Sequence, residues 1–140
     1  MKFHSKLTKN IFLFLIGGFC YGCVEMLYKG STHISMIIAG GICFFVIGQL
    51  NQSKNNPSIL AEMVVAGVVI TIVEFVVGVI VNKWLGLYVW DYSHLPYNFM
   101  GQICLLFSFL WFLLSFFGIV LDDAIRHFLL GEPKRKYHLL

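Results

Sequence analysis

The chain is expected to be all-α: a polytopic membrane protein whose four transmembrane helices form two hairpins that repeat one another in parallel. Three observations lead there. Of its 140 residues 59% are hydrophobic and 12% charged, a balance that no water-soluble domain of this size carries. The mean hydropathy is +0.82, which makes the lipid bilayer the solvent. The apolar residues also gather into four runs parted by polar or aromatic segments. A spanning helix needs about 20 mostly apolar residues, so four of them fill residues 1–140 as one transmembrane domain.

The first span is expected over about 11–28, behind Lys2, Lys6 and Lys9. This start resembles a signal peptide, but Glu25 stands where a small-residue cleavage site belongs, so an uncleaved helix is expected. Span two covers about 34–50. The polar segment NQSKNNPS follows, with Pro57 suited to the first turn of the next helix. Span three covers about 60–81, and Glu62 near its start complements the helix dipole. Asn82 to Tyr97 form a long loop rich in Trp and Tyr, and span four is placed at about 98–121. Residues 122–140 read as a solvated cytoplasmic tail, in which Asp122 or Asp123 can pair with Arg126.

Charge gives the orientation. Lys2, Lys6, Lys9, Lys54, Arg126, Lys134, Arg135 and Lys136 fall on one face, against Lys29 and Lys83 on the other. Positive residues stay inside, so both termini are expected in the cytoplasm and the long loop outside. Trp84, Tyr88, Trp90, Tyr92 and Tyr97 then form an interfacial belt. A net charge of +3 placed at span ends suits lipid headgroups and excludes a nucleic-acid role. Cys20, Cys23, Cys43 and Cys104 lie in apolar runs and read as small hydrophobes, with no metal or cofactor expected.

A repeat is visible between odd spans. Gly18, Gly22 and Glu25 have the spacing of Gly67, Thr71 and Glu74, which puts small residues and a carboxylate on one helix face. Gly40 to Cys43 parallel Gly101 to Cys104 in the even spans. Two such hairpins would be related by an axis along the membrane normal.

The candidate site centres on Glu74. A carboxylate in an apolar run costs about 2.5 to 3.5 kcal/mol to insert and faces the bundle interior, where it marks a place for a proton or a cation. Glu25, Asn98 and Gln102 share its half of the membrane. Asp91 and His94 from the long loop, with His33 from the first loop, can fold over it. Glu25 has a second role open to it, an ion pair with Lys29 one turn on. Asn98 can also cap span four, and Asp91 can simply turn the loop. No catalytic residue is assigned. Glu25, His33, Asp91 and His94 have no recognisable ligand spacing for a metal.

The segments GFCYGCVEMLY and VEFVVGVIVNKWLGLYVWDYSHLPYNFMGQICLLFSFLW resemble the putative ABC-transporter type IV family of small bacterial membrane proteins. WDYS at Trp90 to Ser93, followed by Asn98, Gly101 and Ile103, is the most specific part. The resemblance implies a permease-like component of a bacterial plasma membrane, of a Gram-positive organism such as a clostridium or bacillus. The sequence has no G-x-x-x-x-G-K phosphate loop, so any ATPase would be a separate chain.

Two functions are weighed. One is a transport or substrate-capture component, in which Glu25, Glu74, Trp90, Asp91, Tyr92, Asn98 and Gln102 bind a polar or cationic solute or a proton. The other is a noncatalytic assembly or regulatory protein, which holds another membrane subunit or a second copy of itself through small-residue faces. Neither is an enzyme.

Overall fold

The computed structural model describes residues 6–51, 57–133, 136–137 and 139. Lys2, Lys54, Lys134, Arg135 and most of the polar turn after span two lie outside the described residues. The helices are α1 (Lys6–Lys29), α2 (Ile34–Asn51), α3 (Ile59–Gly78) and α4 (Leu105–Phe128). A π-helical turn, Val79–Trp84, extends α3, and two short strands, β1 (Asn98–Phe99) and β2 (Ile103–Cys104), precede α4. All four helices are long and apolar enough to cross a membrane. Even α2, with 18 residues, measures about 27 Å at 1.5 Å per residue, close to the hydrocarbon thickness.

The distribution of side chains is that of a protein solvated by lipid. Phe19, Leu27, Val68, Ile72 and Phe117 face outward, while Glu25, Glu74, Gln102, Asp122 and Arg126 are buried. The backbone in lipid satisfies itself within each helix, and polar side chains gather inside, where they find partners.

Close packing within each hairpin rests on small residues. A methyl on Gly18 would stand 2.8 Å from the Ile37 carbonyl oxygen, and one on Gly41 would stand 2.8 Å from that of Phe14. α1 and α2 therefore touch backbone to backbone. In the second hairpin, Gly67 faces Phe112, and the Thr71 hydroxyl donates to the Ser108 hydroxyl at 3.0 Å. α1 packs most extensively on α2 and α3 on α4, while α2 joins the hairpins through α3 and α4. Ile47, Ile59, Met63, Ala66 and Ile119 form the core of that junction.

The start of α3 differs in detail from expectation. Ser58 is its N-cap, accepting from the Ala61 N–H at 3.2 Å, so Pro57 lies just outside the helix. Glu62 is in the first turn, as the dipole favours, and is buried.

Two stretches depart further. Span four begins at Leu105 rather than at 98, because residues 98–104 form a hairpin pairing Asn98 with Cys104 and Phe99 with Ile103. Met100 and Gly101 both have positive φ there, the conformation of a tight hairpin turn, which no helix tolerates. At the other end, the solvated-tail expectation is overturned for 122–128. α4 runs on to Phe128, with Asp122 0% and Arg126 5% exposed. The Arg126 Nε donates to both Asp122 carboxylate oxygens, at 3.1 and 3.0 Å. Asn51 of α2 donates to Asp122 at 2.9 Å and also to Asp123. Gly48 makes room for the cluster, since a methyl there would stand 2.7 Å from Asp122 Oδ1. Lys9 pairs with Glu132 at 3.2 Å, so the first turn of α1 and the segment after α4 meet at this end of the bundle.

Candidate functional site

The long loop is held by an amide network that starts at the π-helical turn. In that turn the Leu85 N–H reaches the Ile80 carbonyl at 3.0 Å, an i to i+5 step of the kind often found at functional sites. It leaves Asn82 buried and facing the loop. Asn82 Oδ1 accepts from the Val89 N–H at 2.7 Å, and Asn82 Nδ2 donates to Gln102 Oε1 at 2.8 Å. Gln102 Nε2 donates to the Met100 carbonyl at 3.0 Å, and the Gln102 carbonyl accepts the Trp90 indole N–H at 3.0 Å. Gly78 is what lets these groups approach, because a methyl there would lie 2.7 Å from Gln102 Oε1 and 2.9 Å from Trp90.

This anchoring aims Tyr92 into the bundle. Its hydroxyl donates to Glu74 Oε2 at 2.9 Å, and the Trp111 indole N–H donates to Glu74 Oε1 at 3.0 Å. Tyr92 also stacks on Phe107 of α4, with centroids 4.7 Å apart. Burial first, and the Glu74 carboxylate second, push the Tyr92 hydroxyl above the usual tyrosine range. It stays a donor. Glu74 itself is 6% exposed, and none of the ion pairs among the described residues includes it. A carboxylate offers about four acceptor positions, so two remain.

Glu74 lies on the wall of a partly open cleft between the hairpins with a volume of about 190 Å³. Tyr21, Trp90 and Trp111 line it beside the carboxylate, and Ile47 and Leu121 line its far end. The Tyr21 and Trp111 rings meet edge to face with centroids 6.0 Å apart, linking α1 to α4.

The other expected site residues fall in different places. Glu25 is buried, with Lys29 Nζ 3.1 Å from its Oε2, which is the i+4 ion pair. Tyr21 lies between the two glutamates, within electrostatic reach of both. Asn98 donates to the Leu95 carbonyl at 2.8 Å and accepts from the Gly101 N–H at 3.1 Å, so it shapes the hairpin rather than capping α4. Asp91 is exposed and accepts from the Ser93 N–H at 2.9 Å. That bond, followed by one from the Ser93 hydroxyl, holds its carboxyl below the usual carboxylate range. His33 closes the first loop locally on Ser35, at 2.8 Å from its hydroxyl, and His94 is exposed. Among the described residues no three His, Cys, Asp or Glu side chains converge on a metal position.

Of the expected aromatic belt, Trp84, Tyr88 and Tyr97 are exposed, whereas Trp90 is buried and Tyr92 half-buried. Sequence reasoning missed Tyr21, Asn82 and Trp111. Trp111 carried a signal, since it sits inside an apolar run away from the interface where tryptophan collects.

The family model described as putative ABC-transporter type IV matches residues 4–138, and the chain belongs to that family. It is a transport-related, multi-pass membrane protein. No curated protein and no solved structure matches it.

Proposed function

We propose that this family member is a permease-like or substrate-capture component, a non-enzymatic transporter subunit that binds a polar or cationic solute, or a proton, at Glu74. One observation carries the reading: a buried carboxylate without an ion-pair partner among the described residues faces an open cleft at mid-helix depth. Glu74 is near the middle of the helical stretch 59–84, the level at which transporters bind substrate between hairpins. Tyr92 and Trp111 fix the carboxylate, Trp90 and Tyr21 flank it, and Asn98, Gln102 and Asp91 serve by holding the loop. Glu25, paired with Lys29, adds negative charge nearby.

In this reading the protein sits in a bacterial plasma membrane with both termini cytoplasmic, and the two hairpins are a parallel repeat carried by the odd helices, Gly18, Gly22 and Glu25 answering Gly67, Thr71 and Glu74. The even-span match fails, because Gly101–Cys104 form the turn and strand ahead of α4. Energy would come from a separate ATPase chain, given the missing phosphate loop. The assembly reading draws less support. The glycine faces it would use are occupied within the chain, with Gly17 against Phe44, Gly18 against Ile37 and Gly41 against Phe14.

The test is affinity purification of the tagged chain from native membranes, followed by reconstitution. The proposal expects an ATPase or second membrane subunit to co-purify, and cation-dependent uptake that Glu74→Gln abolishes. A preparation with an intact Gln variant that takes up solute as the parent does would overturn it.

A further inference from the structure

We infer that the cleft takes a single-chain amphiphile with an organic ammonium head, which enters from the bilayer between α1 and α4 and places its head at Glu74. This rests on the reading of Glu74 as a binding carboxylate and adds the class of its ligand. The first observation is the composition of the wall. Beyond Glu74 and its aromatic neighbours, the cleft continues past Cys43, Phe44, Ile47 and Leu121 with almost no polar group. A small hydrated cation gains nothing from such a wall, whereas an alkyl chain is desolvated along it.

The second observation is what surrounds the carboxylate. Tyr21, Trp90 and Trp111 line the cleft next to Glu74, and aromatic faces beside a carboxylate suit an ammonium group carrying carbon substituents. Both Glu74 oxygens already accept one neutral donor each, so the position left is for charge rather than for orienting a further hydroxyl. The third is access. α1 and α4 meet through Tyr21 and Trp111 at one level and through Leu13 and Ile125 at another, and Gly17, Cys20, Phe117 and Gly118 line the cleft between these two contacts. Phe117 and Val24, which line the cleft on that side, are exposed to the apolar surroundings. Gly118 of α4 also lines it, and a methyl there would meet nothing within 4 Å. The opening therefore faces acyl chains at mid-helix depth, and a ligand already partitioned into the bilayer reaches Glu74 without crossing water.

The experiment titrates the full chain in zwitterionic lipid nanodiscs, with empty nanodiscs subtracted, and reads intrinsic tryptophan fluorescence. The probes are hexyltrimethylammonium, tetramethylammonium and hexanesulfonate. We expect saturable binding of hexyltrimethylammonium at least about tenfold tighter than of tetramethylammonium, and none of hexanesulfonate. Glu74→Gln should weaken the hexyl cation about tenfold. Gly118→Leu, which projects into the open cleft and so does not challenge folding, should weaken the hexyl cation alone. If both cations bind equally and Gly118→Leu changes neither, while Glu74→Gln still abolishes binding, the amphiphile inference fails and the small-cation site stands. If hexanesulfonate binds as well as the ammonium, charge recognition is absent and the inference fails with it. If no cation binds, the amphiphile inference fails, and the reading of Glu74 as a transport carboxylate stands or falls on the co-purification and uptake test.

Discussion

Tyr92, from the loop, and Glu74, from the middle of α3, are joined by a 2.9 Å hydrogen bond. This bond fastens the loop to the buried carboxylate. Because the partner is a carboxylate, it is worth about 1.5–3 kcal/mol. Tyr92→Phe keeps the stacking on Phe107 and removes only the donor, so thermal unfolding in detergent should show a loss of that order. Hydrogen exchange should rise at the loop residues 86–97, and an unchanged exchange pattern would mean that the loop is held by Asn82 and Gln102 alone.

Glycine positions predict opposite outcomes. Gly41→Ala places a methyl 2.8 Å from a backbone oxygen of α1, where no side chain can move aside, and should cost about 1–3 kcal/mol. Gly118→Ala meets nothing within 4 Å and should stabilise α4 by up to about 1 kcal/mol through helix propensity. Denaturation midpoints of the two variants in one detergent check this, and equal effects would refute the backbone contact between α1 and α2.

The buried pair of Asp122 and Arg126 should behave as a unit. Removing one partner, as in Arg126→Met, leaves an uncompensated buried carboxylate and should cost about 3–5 kcal/mol. Combining it with Asp122→Leu should recover most of that loss, because two apolar side chains then occupy the space. A double variant as unstable as the single one would show that Asn51 and Asp123, not the pair, hold this end.

How much of this was legible depends on whether a feature is local. The four helices were, since each is one apolar run ended by polar or turn residues. The i,i+4 spacing of Asp122 and Arg126 was visible too, but their burial was not, because it depends on Gly48 and Asn51 some 70 positions away. The start of α4 was misplaced because Asn98 and Gln102 resemble a polar helix start, whereas the positive φ of Met100 and Gly101 is turn chemistry that an apolar sequence hides. Glu74 announced itself as a lone charge. Of its two donors, Tyr92 was among the expected binding residues, whereas Trp111 was passed over although a tryptophan deep in an apolar run is unusual, and its indole N–H 3.0 Å from the carboxylate explains its place.

Orientation is open to a chemical test. In a background lacking Cys20, Cys23, Cys43 and Cys104, a cysteine at the exposed Ser93 should react with an impermeant maleimide added to intact cells. One at the exposed Lys136 should react only after lysis. The reverse pattern would turn the cleft's loop end to the cytoplasm.

The central claim is that Glu74 acts through its charge rather than as a hydrogen-bond acceptor that orders the bundle. Stabilisation of the nanodisc-embedded protein by an alkylammonium, measured as the shift in unfolding temperature across a pH series, separates the two. Ligand binding to the folded state raises its stability in proportion to affinity, and a cation binds the ionised carboxylate. The shift should therefore grow with pH in the parent, and shrink and lose its pH dependence in Glu74→Gln, a variant that still folds because its amide can accept from the Trp111 indole N–H and donate to the Tyr92 hydroxyl. A Gln variant that is equally stable and equally shifted by the cation at every pH would contradict the claim.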